Sequence, residues 1–212
     1  MLYSIFKRVF DIVFSAVCLI VFSPLLLIAA IAIKLTSEGP ILVEHSDRVG
    51  KKGKIFRMYK FRSMVKNAHS RLRSDPKFAN LYEQYKKSGF KLEKDPRVTK
   101  VGRFLRQTSI DEFPQFFNVI VGDMSFIGPR AYYSDEIEEN KKNFPQTVSL
   151  INESMQVKPG ITGLWQVSGR SKIGFEKRIE LDAQYARAKS FWLDLKILLK
   201  TPIAVLKRDG VY

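Results

Sequence analysis

The longest apolar stretch of the chain lies close to its N-terminus. Residues 12–33 carry no charged side chain, and the charged residues Asp11 and Lys34 flank the stretch. A straight helix of 22 residues would extend about 33 Å, which is enough to cross the hydrocarbon core of a bilayer. The stretch is too long for a cleaved signal peptide, and no small-residue cleavage site opens a mature domain. The pattern therefore predicts a helical segment embedded in a membrane.

Ser23-Pro24 divides this segment into two halves of 11 residues each. Proline removes a backbone donor and clashes with the preceding turn, so a bend is expected here. Neither half spans a bilayer alone, and two short arms could enter and leave the membrane on one side. Basic residues on both flanks, Lys7 and Arg8 before the segment and others after Lys34, favour such a re-entrant hairpin. Kinked spanning helices are common, however, so these residues alone favour a spanning helix.

Beyond this segment, the pattern predicts a mainly helical α+β domain without internal repeats. Residues 40–44 and 55–61 form two short apolar or alternating runs, and residues 50–53 between them form a glycine-containing turn. This arrangement predicts a small hairpin. Capping and periodicity signals predict helices at residues 75–89, 101–107, 109–121, 134–155 and 175–206, the last interrupted at residues 201–202. Residues 158–171 contain three glycines, which predicts a loop that a ligand can approach closely.

The last predicted helix mixes large apolar residues with lysines such as Lys196 and Lys200. This mixture is typical of an amphipathic helix that lies in the membrane interface. Ordinary packing against a core explains the same apolar residues equally well. The sequence leaves both interpretations open.

The positive charge of the chain is confined to one region. The formal net charge is +15, and residues 48–106 alone hold 19 basic and 4 acidic side chains, so the rest of the chain is neutral. A regional excess of this kind indicates an anionic partner: nucleic acid, a phosphorylated ligand or anionic lipid. The single cysteine, Cys18, excludes a disulfide scaffold and a cysteine-ligated zinc site. With two histidines in the chain, any metal would be held mainly by oxygen atoms.

Candidate chemistry centres on Asp111 and Glu112. Ser109 and Glu112 have the spacing of a capping box, which would place Asp111 in the first turn of a helix, where anions are stabilised. Such acidic pairs most often only complement the helix dipole. Arg106 upstream and Arg130 downstream strengthen a functional interpretation, because phosphoryl transfer requires carboxylates close to guanidinium groups.

Several motifs, taken together, identify the chain as similar to a known family. They include Asp11 after Lys7-Arg8, the break at Ser23-Pro24 and the pair Asn118-Val119. The longer motifs are YKFRSM at 59–64, DPRVTKVGRFLR at 95–106, TSIDEFPQ at 108–115, GDMSFIGPR at 122–130 and KPGITGLWQVSGR at 158–170. In order and spacing they resemble the bacterial polyprenyl-phosphate sugar-1-phosphate transferases, the monotopic phosphoglycosyl transferases. Ala131 departs from the proline usual in that family, which leaves the pocket shape more in doubt than the activity.

The resemblance implies a reaction and a site. The family transfers a sugar 1-phosphate from a UDP-sugar to undecaprenyl phosphate and releases UMP, which starts a surface glycan. By analogy Asp111 is the nucleophile that forms a phosphosugar-aspartate intermediate, and Glu112 assists it. Both carboxylates would contact Mg²⁺. The implied phosphate contacts are Lys60, Arg106 and Arg130, and the implied contacts in the nucleotide-sugar pocket are Thr162, Gly163, Gln166 and Arg170. The motif at 165–170 is more typical of members that transfer a hexose such as glucose or galactose.

The resemblance also implies where the chain resides. It predicts a re-entrant membrane hairpin at residues 1–36, against the preference stated above, and a catalytic domain with interfacial helices at residues 37–212. The domain would lie on the cytoplasmic face of the bacterial plasma membrane as a minimal catalytic unit. UDP-sugar, undecaprenyl phosphate and anionic lipid are the expected partners, nucleic acid is not, and a homodimer is left open. The alternatives are a direct glycosyltransferase that releases UDP and a non-enzymatic, membrane-anchored binder of polyanions.

Overall fold

The N-terminal apolar segment forms two helices in the computed structural model, α1 (Leu2–Val21) and α2 (Ser23–Thr36). Their axes differ in direction by 63°. Ser23 donates from Oγ to the Ile20 carbonyl at 2.8 Å, and Pro24 is the second residue of α2. The predicted break is therefore confirmed. Within the described residues no single helix combines the length and apolar character needed to cross a bilayer, whereas the bent pair meets both criteria together.

The structure describes residues 2–43, 47–87, 92, 95–169 and 173–206. The helices that follow the bent pair are α3 (Ala68–Ser74), α4 (Ala79–Lys87), α5 (Lys100–Thr108), α6 (Gln115–Val121), α7 (Ser134–Asn143), α8 (Val148–Ser154), α9 (Leu164–Val167), α10 (Phe175–Ala188) and α11 (Phe191–Leu206). The strands are β1 (Asp47–Val49), β2 (Ile55–Arg57), β3 (Ser125–Ile127) and β4 (Gly160–Thr162). Mainly helical α+β architecture is thus confirmed for the described chain.

The predicted hairpin exists, but its first strand begins later than expected. β1 pairs antiparallel with β2 around a 3₁₀ turn at Lys51–Gly53. The earlier apolar run also finds its predicted partner, because Val43 donates to the Lys60 carbonyl at 2.9 Å and Arg62 donates to the Ile41 carbonyl at 2.8 Å. The segment that carries Lys60 is therefore held beside residues 41–43 by main-chain hydrogen bonds.

The glycine-rich region at residues 158–171 is not the plain loop that its composition predicts. It contains β4, which pairs parallel with β3, and the short helix α9. A Cβ atom on Gly160 would overlap the backbone of Gly128, and one on Gly163 would overlap the Gly128 carbonyl. These glycines therefore allow close backbone packing. The parallel partner lies far away in sequence, which is why a local pattern did not reveal the strand.

Two other predicted helices have different boundaries. The predicted helix at residues 134–155 is divided into α7 and α8 by a 3₁₀ turn that starts at Pro145. The predicted break at residues 201–202 is absent, because α11 continues through Pro202. The break instead precedes α11, where Ser190 Oγ accepts a hydrogen bond from the Leu193 amide at 3.3 Å and caps the new helix. The predicted helix from Asp75-Pro76 is confirmed up to Lys87, and its predicted end at Gly89 lies outside the described residues.

α1 packs directly on the rest of the protein. The centroid of its Phe14 ring lies 4.6 Å from the ring centroid of Phe126 in β3, and the Phe126 ring stacks on that of Phe116 in α6. The buried carboxylate of Asp11 accepts hydrogen bonds from Ser125 Oγ at 2.7 Å and from the Phe126 amide at 3.1 Å. The first helix of the apolar segment is therefore anchored to the sheet by both apolar and polar contacts.

Further polar contacts secure both ends of the bent pair. Near the start of α1, Tyr3 and Lys7 donate to Asp194 of α11 at 2.9 and 2.8 Å. Beyond the end of α2, Arg62 donates to the carbonyls of Pro40 at 2.6 Å and Ser37 at 3.0 Å, and also to the carbonyl of Glu38. The beginning and the end of the apolar segment are thus both attached to the same domain.

Candidate active site

The backbone at the candidate nucleophile differs from the prediction. α5 ends at Thr108, Ser109 takes a left-handed conformation with φ of 57°, and Ile110–Glu112 form a 3₁₀ turn before α6. The Ser109 side chain makes no cap hydrogen bond, so the predicted capping box and the single helix over residues 109–121 are both wrong. Pro114 is the reason, because α6 starts only after it and proline is tolerated at a helix start rather than in the interior.

Lys60 and the two carboxylates lie together. The Lys60 Nζ atom is 3.0 Å from Asp111 Oδ2 and 3.2 Å from Glu112 Oε1. The Asp111 side chain is only 3% exposed, whereas that of Glu112 is 42% exposed. The Phe61 amide also donates to the Asp111 carbonyl at 2.9 Å. Residues about 50 positions apart in the chain are therefore held in register by main-chain and side-chain contacts.

The environment of Asp111 sets its ionisation. Burial raises its pKa, the nearby Lys60 ammonium opposes that effect, and the Glu112 charge adds to it. Burial alone lowers the pKa of Lys60, but Asp111 and Glu112 outweigh it and the net direction is upward. The helix-terminus stabilisation expected from sequence is thus replaced by a direct ion pair. Asp111 is a desolvated carboxylate whose charged form depends on Lys60.

Two predicted arginines lie in electrostatic range of this group. Arg106, in the last turn of α5, donates from Nε to Ser63 Oγ at 2.8 Å, and its charge favours the ionised form of Asp111. Arg130 follows β3, and burial opposes its charge while acidic neighbours, Glu112 among them, raise its pKa overall. The Arg130 Nε atom is buried and makes no hydrogen bond within the described chain. Positively charged side chains from α5 and from the segment after β3 therefore act electrostatically on the two carboxylates.

The predicted pocket residues have different surroundings. Thr162 is buried and its hydroxyl lies 2.9 Å from that of Thr201 in α11. Gly163 is packed against the backbone of Gly128, with Gln166 Oε1 close to the space that a Cβ atom would fill. Gln166 Oε1 is buried without a hydrogen bond in the described structure. Arg170 lies outside the described residues. The structure therefore places three of the four beside the β3–β4 pair, and their role in a pocket stays a prediction.

A family comparison bears on what this arrangement does. The profile of the bacterial sugar transferase family matches residues 2–208. The chain belongs to the bacterial sugar transferase family. The match covers every element that contributes to the site.

Individual relatives in this family carry informative names. The chain is 44% identical over 210 residues to the undecaprenyl-phosphate galactose phosphotransferase of Salmonella typhimurium, covering 97% of the chain and 41% of that protein. It is 43% identical over 205 residues to the UDP-glucose:undecaprenyl-phosphate glucose-1-phosphate transferase of Klebsiella pneumoniae, covering 93% of the chain and 39% of that protein. It is 38% identical to the exopolysaccharide production protein ExoY of Rhizobium meliloti, covering 97% of the chain and 88% of that protein. The chain therefore spans about two fifths of the first two relatives.

The candidate site offers oxygen ligands for a hard cation. Asp111 and Glu112 are adjacent carboxylates that are close enough to interact electrostatically. Carboxylate oxygen is a ligand that Mg²⁺ prefers. Among the described residues no group of three or more histidine, cysteine, aspartate and glutamate side chains could enclose a metal ion. Mg²⁺ usually binds through one or two carboxylates with water and substrate phosphates. The residues present therefore fit a cation that is shared with a phosphorylated substrate.

A buried polar cluster next to Arg130 was not predicted from the sequence. Asp182 of α10 accepts hydrogen bonds from the Arg130 amide at 3.3 Å and the Tyr132 hydroxyl at 3.0 Å. The Arg178 guanidinium lies 4.8 Å from the Trp165 ring centroid. A signal for Asp182 was present, because it lies on the same helix face as residues that are buried in α10. A carboxylate on an apolar helix face is uncommon unless it has partners.

Proposed function

We propose that the chain transfers a sugar 1-phosphate from a UDP-sugar to undecaprenyl phosphate and releases UMP. The observation that carries the proposal is the buried Asp111 carboxylate held 3.0 Å from Lys60 Nζ, with Glu112 beside it. The names of relatives that share 43–44% of their aligned residues support the substrate classes. Because those names specify galactose and glucose, we propose a hexose of that kind as the transferred sugar.

The first half of the reaction uses Asp111 as nucleophile. One carboxylate oxygen attacks the phosphorus atom attached to the sugar, and the bond from that phosphorus to the bridging oxygen breaks, so UMP leaves with the bridging oxygen and its electron pair. No proton has to be removed from an ionised carboxylate. Lys60, Arg106 and Arg130 offset the repulsion between the carboxylate and the diphosphate. Mg²⁺, when bound, supplies further neutralisation of phosphate charge.

The second half regenerates the enzyme. A phosphate oxygen of undecaprenyl phosphate attacks the phosphorus of the phosphosugar-aspartate intermediate, the aspartyl oxygen–phosphorus bond breaks, and Asp111 returns to its carboxylate form. Glu112 is the more exposed of the two carboxylates. We therefore assign it to the side of the site from which substrates approach.

We further propose that the bent pair is a re-entrant hairpin. Its start is bound to Asp194 and its end to Arg62 of the same domain, so both ends lie on the side of the catalytic domain. A spanning helix would separate them by a bilayer. The active site would then lie on the cytoplasmic face, level with the lipid phosphate, and the basic residues of segment 48–106 would attract anionic lipid.

The surface of α11 supports this placement. Its Ile197 side chain is fully buried, while Trp192, Leu199 and Leu206 are 75%, 67% and 79% exposed. The two interpretations of this helix in the sequence analysis therefore apply to different faces. We propose that the exposed face lies in the membrane interface.

The decisive experiment measures which nucleotide is released. Detergent- or nanodisc-stabilised protein is incubated with Mg²⁺, undecaprenyl phosphate and UDP-glucose, UDP-galactose or UDP-N-acetyl sugars. We expect UMP from a hexose donor, none from Asp111→Asn, and unchanged release from the matched exposed control Glu138→Gln. Release of UDP would support a direct glycosyltransferase. Absence of any nucleotide, with salt-sensitive polyanion binding, would support the non-enzymatic alternative.

A second measurement tests the intermediate. Without undecaprenyl phosphate, each wild-type chain should release at most one UMP and gain the mass of a hexose phosphate. Addition of the lipid should remove that mass. Continuous UMP release that never adds mass would contradict the covalent step.

A further inference from the structure

Asn118 is a fully buried polar residue that the proposed reaction does not use. It lies in α6, and its side-chain amide is bonded at both ends. The Oδ1 atom accepts from the Tyr59 amide at 2.8 Å, and Nδ2 donates to the Arg57 carbonyl at 2.7 Å. The amide of asparagine supplies its donor and its acceptor on two separate atoms, so it can bond two main-chain groups at once. Asn118 therefore completes the hydrogen bonding of the segment that runs from the end of β2 to Lys60.

These bonds act on the residue that contacts the carboxylates. Tyr59 immediately precedes Lys60, and on the other side Phe61 donates to the Asp111 carbonyl at 2.9 Å. The backbone of Lys60 is thus attached to α6 just before it and to the 3₁₀ turn just after it. Its side chain has to cover only the remaining distance to Asp111 and Glu112.

The main chain of Asn118 is bonded to the segment that follows α6 and leads to Arg130. Its carbonyl accepts from the amides of Gly122, Asp123 and Met124 at 3.0, 3.0 and 3.2 Å. These residues lead into β3 and from there to Arg130. The main chain at the end of α6 is therefore bonded to the segment that leads to Arg130, while the Asn118 side chain is bonded to the segment that leads to Lys60.

We infer that Asn118 is a positioning residue that holds the Lys60 ammonium against the Asp111–Glu112 pair. The inference rests on the proposed function, because it assigns the consequence of that placement to the attack by Asp111. It predicts that Asn118 affects catalysis through Lys60. A purely structural role predicts effects that are independent of Lys60.

The test compares Asn118→Ala with the control Asn140→Ala. Asn140 is also buried, but its Nδ2 donates to the Glu136 carbonyl within its own helix, at 2.7 Å. We expect kcat for UMP release to fall by about 100-fold in Asn118→Ala, the loss typical of a misplaced catalytic group. The change in KM should be smaller, and Asn140→Ala should retain wild-type kcat.

A double-mutant cycle separates positioning from folding. Asn118→Ala should add little to the loss of kcat caused by Lys60→Met, because both remove the same interaction. Additive losses would overturn the inference.

A measurement without turnover keeps this test separate from the proposed function. The folded chain is treated with an amine-acylating reagent, and modification of Lys60 is followed by mass spectrometry. We expect faster modification in Asn118→Ala, and an unchanged rate would refute the inference even if UMP release fell. If Asn118→Ala does not fold, Asn118→Asp retains an acceptor for the Tyr59 amide and should give an intermediate rate. If the wild type releases no UMP, the proposed function fails, while the acylation rates still decide the positioning.

Discussion

The buried Asp182 makes the stability of the folded chain depend on pH. Its side chain is fully inaccessible to solvent, and one carboxylate oxygen accepts hydrogen bonds from the Arg130 amide and the Tyr132 hydroxyl. The other oxygen makes no hydrogen bond within the described structure. Burial raises the pKa of Asp182 from 3.8 to about 7, although the two hydrogen bonds and the charges of Arg130 and Arg178 act in the opposite direction.

The direction of the effect follows from the raised pKa. Between pH 4 and 7 the folded state binds a proton on Asp182 that the unfolded state has already lost. The stability of the folded state that depends on this proton is therefore fully present below pH ~4 and is lost as the pH rises through ~7. At about 1.4 kcal/mol per pKa unit, the free energy of unfolding falls by about 4 kcal/mol between acid and neutral pH because of Asp182. For a chain of this size that corresponds to roughly 10 °C in melting temperature.

The assay is thermal melting of wild type and Asp182→Asn in one detergent from pH 5 to 8.5. Asparagine can still accept both hydrogen bonds but does not ionise, so we expect its melting temperature to depend less on pH. The two curves should diverge between pH 5 and 7 and run parallel above pH ~7. Any lowering of the melting temperature by the buried amide nitrogen of Asp182→Asn is the same at every pH. This constant amount does not affect the test, because the slopes of melting temperature against pH are compared. Glu180→Gln changes an exposed carboxylate on the same helix and should follow the wild type. Parallel curves for wild type and Asp182→Asn between pH 5 and 7 would refute the reasoning.

Two further predictions concern the packing that supports the site. Asp11→Ala leaves a buried hydroxyl and a buried amide without their acceptor, so we expect a loss of about 2–5 kcal/mol in thermal melting. The exposed control Glu138→Ala should melt like the wild type. Equal melting temperatures for these two variants would contradict the anchoring of α1. In Gly102→Ala the new Cβ atom would overlap the Ser63 carbonyl, whereas Gly174→Ala adds its Cβ in open space. We expect size-exclusion chromatography to show loss of folded protein for the first and normal recovery for the second, and normal recovery of both would rule out such close packing.

The candidate site was partly predictable from sequence. Asp111 and Glu112 stood out because an acidic pair lies between arginines in a motif typical of the family, and the same motifs indicated Lys60. Local pattern could not show that the Lys60 ammonium is paired with Asp111, since the two residues come together through tertiary contacts such as the hydrogen bond from the Phe61 amide to the Asp111 carbonyl. It also gave the wrong cap at Ser109, because a capping signature describes a helix start and not the left-handed bend that precedes Pro114.

The long-range contacts account for most of what the pattern missed. β4 was mistaken for a loop because its partner strand is far away in the chain, and close backbone packing needs the same glycines that a loop favours. Asp182 and Asn118 carry no local motif that reveals their partners. A periodic pattern shows which helix face is buried, but it does not identify what that face contacts.

By itself the sequence determined that the apolar segment breaks at Ser23-Pro24, that the domain is mainly helical and that the positive charge is regional. These properties depend on proline chemistry, on periodicity and on composition, all of which act locally. Only the tertiary structure decided that both ends of the bent pair attach to one domain and that Lys60 reaches Asp111. Hydrogen bonds and ion pairs between distant residues form only when packing brings their elements together, and they determine the position and charge of the candidate nucleophile.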